Sequence, residues 1–187
     1  LQVHNSTVYR WNRPCYGITD GKPHLRIENR ILPSGPSVID EVANAAFWFG
    51  LVSGLAERHG DVRATKLTFD DAQHNFIAAA RQGLASQLTW LDGETHPART
   101  LILDALLPLA REGLTTSGID AADIDRYLGI VRTRVESRQT GAQWQLDSVA
   151  RMKGRGSRSE RLGALVRAML DRQKSGRPVH EWEPASL

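Results

Sequence analysis

Residues 24–42 read His24-Leu25-Arg26-Ile27-Glu28-Asn29-Arg30-Ile31-Leu32-Pro33-Ser34-Gly35-Pro36-Ser37-Val38-Ile39-Asp40-Glu41-Val42, and the spacing of the apolar side chains changes partway along. Up to residue 31 the period is two. Leu25, Ile27 and Ile31 share one parity, with Asn29 as its polar exception, while His24, Arg26, Glu28 and Arg30 share the other. Successive side chains of a strand point to opposite faces, so the charged residues gather on one side of a sheet. After Pro33-Ser34-Gly35-Pro36 the period becomes helical: Val38, Val42, Ala45, Ala46, Phe49 and Val52 recur at intervals of three and four. Ser37 reads as the N-cap, with Asp40 three residues on in the position of a capping box. A strand thus gives way to a helix, and the fold class expected is α+β. Its β part covers 1–36 and its helical part 37–187, both within one domain.

Upstream, Thr7, Tyr9, Trp11 and Arg13 alternate with Val8, Arg10 and Asn12 as a second strand, which Pro14 is expected to end. Tyr16-Gly17 through Asp20-Gly21-Lys22-Pro23 supplies turn residues. The two segments form a β-hairpin, expected to belong to a larger antiparallel sheet because two strands alone are marginal in water. Downstream, helical stripes over about 68–84, 97–112, 120–135, 140–152 and 157–170 make, with the first, a bundle of about six helices. Thr68 with Asp71 and Ser157 with Glu160 read as capping boxes, and Asp120 as the N-cap of the fourth helix. From Ser175 the tail is expected to be extended and loosely packed.

Composition narrows the class. Of 187 residues, 41% are hydrophobic and 24% charged, which suits a globular core rather than disorder. The most apolar stretch, Val38 to Leu55, carries Asp40, Glu41 and Asn44, so no membrane role is expected. One cysteine, Cys15, rules out an intrachain disulfide and fits a reducing, cytoplasmic setting. The chain lacks an initiator Met and reads as part of a longer protein.

The chemistry-bearing pattern is the row Arg26, Glu28, Arg30. A carboxylate between guanidiniums stays ionised, and such a row can ligate Mg²⁺ and bind phosphate or carboxylate groups bidentately. The same pattern also describes a solvated ion-pair ladder, and spacing alone leaves both readings open.

Several segments carry a resemblance. Residues 5–14 (Asn5-Ser6-Thr7-Val8-Tyr9-Arg10-Trp11-Asn12-Arg13-Pro14), then Arg26-Ile27-Glu28-Asn29-Arg30 and Asp40-Glu41-Val42-Ala43-Asn44-Ala45-Ala46 follow one another as in the C-terminal part of the second glutamate–cysteine ligase family. Asn75-Phe76-Ile77-Ala78-Ala79-Ala80-Arg81-Gln82-Gly83-Leu84 resembles that family's helix ending in Ala-Ala-Arg-x-Gly-Leu. Gln139-Thr140-Gly141-Ala142-Gln143 is similar to its late Gly-Ala segment. The resemblance implies a glutamine-synthetase-like catalytic sheet backed by helices. It also implies an ATP- and Mg²⁺-dependent carboxylate–amine ligase working through an acyl phosphate, on an amino acid or other small carboxylate. By matching position, Glu28 would be the metal ligand. Arg30 would be catalytic, stabilising the transferred phosphoryl group, and Arg26 a further phosphate contact. Arg13 would hold a substrate carboxylate, with Tyr9 and Trp11 lining the pocket. No Glu-x-Glu strand precedes Val8, so the resemblance further implies that the remaining acidic ligands belong to a missing N-terminal part of the same catalytic domain. The chain is then a fragment, inactive alone.

Two other classes compete. Arg151, Lys153, Arg155, Arg158 and Arg161 form a basic cluster that could serve a helical nucleic-acid-binding or assembly module, although the aromatic residues are not interleaved with it as in single-strand binders. Nucleic acid is accordingly not the expected partner. A non-catalytic regulatory relative is the other alternative. Cys15 has no His or Asp at a supporting spacing and reads as incidental. Trp48, Trp90, Trp144 and Trp182 read as packing anchors.

Overall fold

The computed structural model describes residues 12–32 and 35–187; Tyr9, Trp11 and the part of the expected strand that covers residues 7–11 lie outside these. The chain divides into two compact units, residues 1–35 and 36–187.

The first unit holds an antiparallel hairpin of β1 (Asn12–Thr19) and β2 (Lys22–Asn29). This corrects the expected break at Pro14: β1 runs through it, and the turn is only Asp20-Gly21. Both turn residues have positive φ, 52° and 74°, the backbone that a tight two-residue hairpin loop demands and that Asp-Gly accepts at low cost. Pro14 is tolerated because β1 is an edge strand, where a missing N–H need not break a ladder bond. Register pairs Tyr16 with Leu25 and Pro14 with Ile27, and all four, with Ile18, lie on one apolar face of the hairpin.

The second unit is helical. Its long helix α1 (Val38–His59) packs against α4 (Leu107–Thr116) and α5 (Ala121–Ser137). Between them come α2 (Phe69–Gln82), a short hairpin of β3 (Gln87–Thr89) and β4 (Thr95–Pro97), and α3 (Ala98–Leu101). Helix α3 runs into α4 through a π-helical turn, Ile102–Leu106. Helices α6 (Gly141–Arg151) and α7 (Arg158–Lys174) follow.

The face α1 turns to its neighbours differs from the expected one. Ile39, Ala43, Ala46, Phe47 and Leu51 meet the core, whereas Val38, Val42, Phe49 and Val52 are exposed, Val38 by 74%. Both stripes are apolar, so periodicity cannot rank them. Glycine decides it. A Cβ at Gly50 or Gly54 would collide with the carbonyls of Ala110 or Leu109, and one at Gly113 with the α1 backbone. The helices therefore cross backbone to backbone, which only this face of α1 permits. By length and composition α1 could also cross a membrane.

A second core forms from Trp144, Met152, Ala164, Leu165, Val179, Trp182 and Ala185. This corrects the loosely packed tail: the residues after Ser175 are clamped onto α6 and α7. Trp182 meets Trp144 edge-on, with centroids 5.2 Å apart. Gln139 Nε2 donates to the carbonyls of Val179 and Trp182, and Trp144 Nε1 to that of Glu183.

Asp40 is a further correction. Instead of capping α1 it is fully buried, accepting from Ser37 Oγ at 2.7 Å, Arg134 Nη2 at 2.6 Å and the Val179 N–H at 2.9 Å. One carboxylate thus ties the start of α1 to α5 and to the tail. The capping boxes of α2 and α7 form as the sequence predicts, while Asp120 makes no side-chain cap bond.

Candidate functional site

The pleat of the β1–β2 hairpin collects its charged residues on one face. Register sets Arg13 opposite Glu28, Cys15 opposite Arg26, and Gly17 opposite His24. Glu28 is held from two sides. Arg30 Nε donates to Oε1 at 2.8 Å and Arg30 Nη2 to Oε2 at 3.1 Å, while Arg13 Nη2 sits 2.7 Å from Oε2. Cys15 Sγ lies 3.7 Å from the same oxygen. The Arg30 hydrogen bonds chiefly, and the charge of Arg13, hold the Glu28 carboxyl below its ordinary value, so it is ionised at neutral pH.

Arg26 is not beside Glu28, as alternation along a single strand suggested. Its Nη1 meets His24 Nε2 at 3.1 Å, over Gly17, where a Cβ would collide with both side chains. The second cation at Glu28 comes from across the hairpin, from Arg13. Strand alternation revealed Arg30; only the register reveals Arg13 as its counterpart. His24 shares the parity of Arg26 in the sequence, and the register sets it opposite Gly17, beside Arg26. Tyr9 and Trp11 fall outside the described residues. The structure therefore brings Arg13, Glu28 and Arg30 into one cluster and sets Arg26 with His24 as a second.

This face joins a metal-competent carboxylate to guanidiniums that suit phosphates and carboxylates. Residues 6–168 match the family described as Glutamate-cysteine ligase family 2 (GCS2). The chain belongs to that family. No curated protein and no solved structure matches it.

Membership in glutamate–cysteine ligase family 2 makes this a relative of carboxylate–amine ligases and raises the question of whether the hairpin suits ATP and Mg²⁺. In donor chemistry it does. Mg²⁺ prefers hard carboxylate oxygens, and Glu28 is ionised and partly open, its side chain 39% exposed. The pairing engages both of its oxygens, so a cation bound there would compete with Arg13 and Arg30. In donor number the hairpin is incomplete. Among the described residues no group of three or more His, Cys, Asp or Glu comes together.

Proposed function

We propose that this family member forms part of an ATP- and Mg²⁺-dependent carboxylate–amine ligase whose site includes the charged face of β1 and β2. The observation that carries the reading is the Arg13–Glu28–Arg30 cluster: one ionised carboxylate clasped by two guanidiniums on an open sheet face. Bound ATP with Mg²⁺ would supply the phosphoryl group that turns a carboxylate into a reactive acyl phosphate. What the chain must do is bring two anions together and keep the amine's competitor, water, from the activated carbon.

Glu28 would hold the metal, and Arg30 beside it would supply positive charge to the phosphoryl oxygens. Arg13, at the start of β1, would hold the substrate carboxylate with its planar fork; Tyr9 and Trp11, which the family resemblance assigns to the same substrate, lie outside the described residues. Arg26, at the next position along the row, would be a further phosphate contact. Further acidic ligands would come from outside the described residues, and turnover would then require the segment that carries them. A free thiol at Cys15 is compatible with a cytoplasmic setting.

The reading is tested on the protein carrying that segment, by following ATP- and Mg²⁺-dependent amide formation across a panel of amino acid pairs. Glu28→Gln keeps the shape and removes the charge; it should abolish turnover while far-UV circular dichroism stays unchanged. Undiminished turnover in that variant removes Glu28 from the mechanism.

A further inference from the structure

Two segments that carry the family resemblance have no part in the chemistry above: the end of α2 with its Gly83 turn, and the start of α6. They are some 60 positions apart in sequence, and the fold brings them to one cleft. It has a volume of about 670 Å³, within the range of small-ligand pockets, and lies wholly in the helical unit. Arg81 and Gln82 enter from α2, Arg99 from α3, Arg138 from the end of α5, and Thr140 and Gln143 from the first turn of α6.

The charge of the lining is one-sided. Three arginines face the cleft and, among the described residues, no Asp or Glu lines it. Arg99 is anchored, its Nε and Nη2 donating to the carbonyls of Val135 and Glu136 at 3.1 and 3.2 Å. That fixes a guanidinium at the wall without neutralising it, because its partners are carbonyls and not carboxylates. Arg81 and Arg138 are exposed, and neither makes an ion pair with the described residues. Elsewhere in the helical unit arginines do find acids: Arg58 pairs with Glu112, Arg111 with Asp125 and Arg134 with Asp40.

Arg138 also occupies a position a glycine would fill more cheaply. It ends α5 in the left-handed region at φ 60°. At the start of α6, Thr140 and Gln143 line the same wall, Thr140 Oγ1 accepting from the Gln143 N–H.

We propose that this cleft binds a small phosphorylated anion through Arg81, Arg99 and Arg138. Three guanidiniums with no compensating acid match the several charges of a di- or triphosphate better than the single charge of one carboxylate. The size of the cleft suits a small molecule. The inference does not rest on the ligase reading, since none of the hairpin residues contributes to it.

The test is isothermal titration of the full chain with inorganic tripolyphosphate, without metal and at low salt. Saturable binding is expected, at least tenfold weaker in R81Q/R138Q and weaker again on raising the salt. Glu28→Gln should leave it unchanged, which separates this site from the hairpin. A second variant, Leu146→Glu, places a carboxylate at the cleft on an exposed helix position and should also weaken binding. Citrate serves as the polycarboxylate comparison. No binding at millimolar concentration, equal affinity in R81Q/R138Q or in Leu146→Glu, loss of binding in Glu28→Gln, or tighter binding of citrate would each overturn the proposal.

Discussion

Replacing Asp40 by Asn tests how the helical unit is held together. Asp40 is completely buried, and Arg134, its partner at 2.6 Å, is only 12% exposed at the side chain. Two unit charges with centres about 4 Å apart attract by about 4 kcal/mol at an effective dielectric of 20, an attraction offset by the cost of removing both from water. The net worth of the intact pair is therefore small, but removal of one partner strands the other. Arg134 would keep its bond to Asn44 Oδ1 and lose its only carboxylate among the described residues. Breaking a buried pair in this way costs about 3–5 kcal/mol. Asn can still accept from Ser37 and from the Val179 N–H, which puts Asp40→Asn at the lower end, about 3 kcal/mol. With a urea dependence of about 2 kcal/mol per M, the midpoint should fall by about 1.5 M. Urea unfolding followed by the fluorescence of the buried Trp144 and Trp182 reads this directly. Arg134→Met should cost at least as much, because it strands a fully buried carboxylate. In a double-mutant cycle, D40N/R134M should lose less than the sum of the singles by about 2 kcal/mol. Singles within 1 kcal/mol of the parent, or additive losses, would refute the claim that this pair joins α1, α5 and the tail.

Gly113→Ala drives a methyl group into the α1 backbone and should destabilise by about 1–3 kcal/mol, read by urea unfolding. Ala at the open Gly129 of α5 should instead stabilise by a few tenths to about 1 kcal/mol. Arg138→Gly should raise stability by about 1 kcal/mol by relieving a left-handed arginine, yet weaken tripolyphosphate binding. The Glu28 carboxyl should titrate by NMR below 4.5, its ordinary value, and rise toward it in Arg30→Gln. Because its folded value is depressed, the pair's contribution is complete above 4.5 and is lost as pH falls through the folded value. His180 is depressed from 6.5 chiefly by burial. Its share of stability is complete above pH 6.5 and declines as pH falls from there through the folded value, which ring-proton titration with parallel unfolding curves would show.

The order of strand then helices was legible because period two and period 3.6 are local properties of the chain. So were the caps at Thr68 and Ser157, where both partners lie within one turn. What the sequence concealed was nonlocal. Val38, Val42, Phe49 and Val52 are as apolar as the stripe α1 buries, and the choice between them lies in Gly50 and Gly54 meeting Gly113 and Leu109 far along the chain. Asp40 looked like a cap because its true partners are Arg134 and Val179. The short β3–β4 hairpin was missed because three-residue strands are too brief to show alternation. At the candidate site, Glu28 and Arg30 could be read from one strand. Arg13 entered through the family resemblance, and its pairing with Glu28 needed the hairpin register. The cleft at Arg81, Arg99 and Arg138 joins three helices and has no single-segment signature.

The ligase reading stands or falls on whether a carboxylate is activated by phosphoryl transfer. Supplying the protein with ATP, Mg²⁺, an amine and a carboxylate substrate labelled with oxygen-18 traces that step. The account expects one labelled oxygen to appear in the released phosphate, and to vanish with Glu28→Gln. Amide formed with phosphate carrying no label would contradict it.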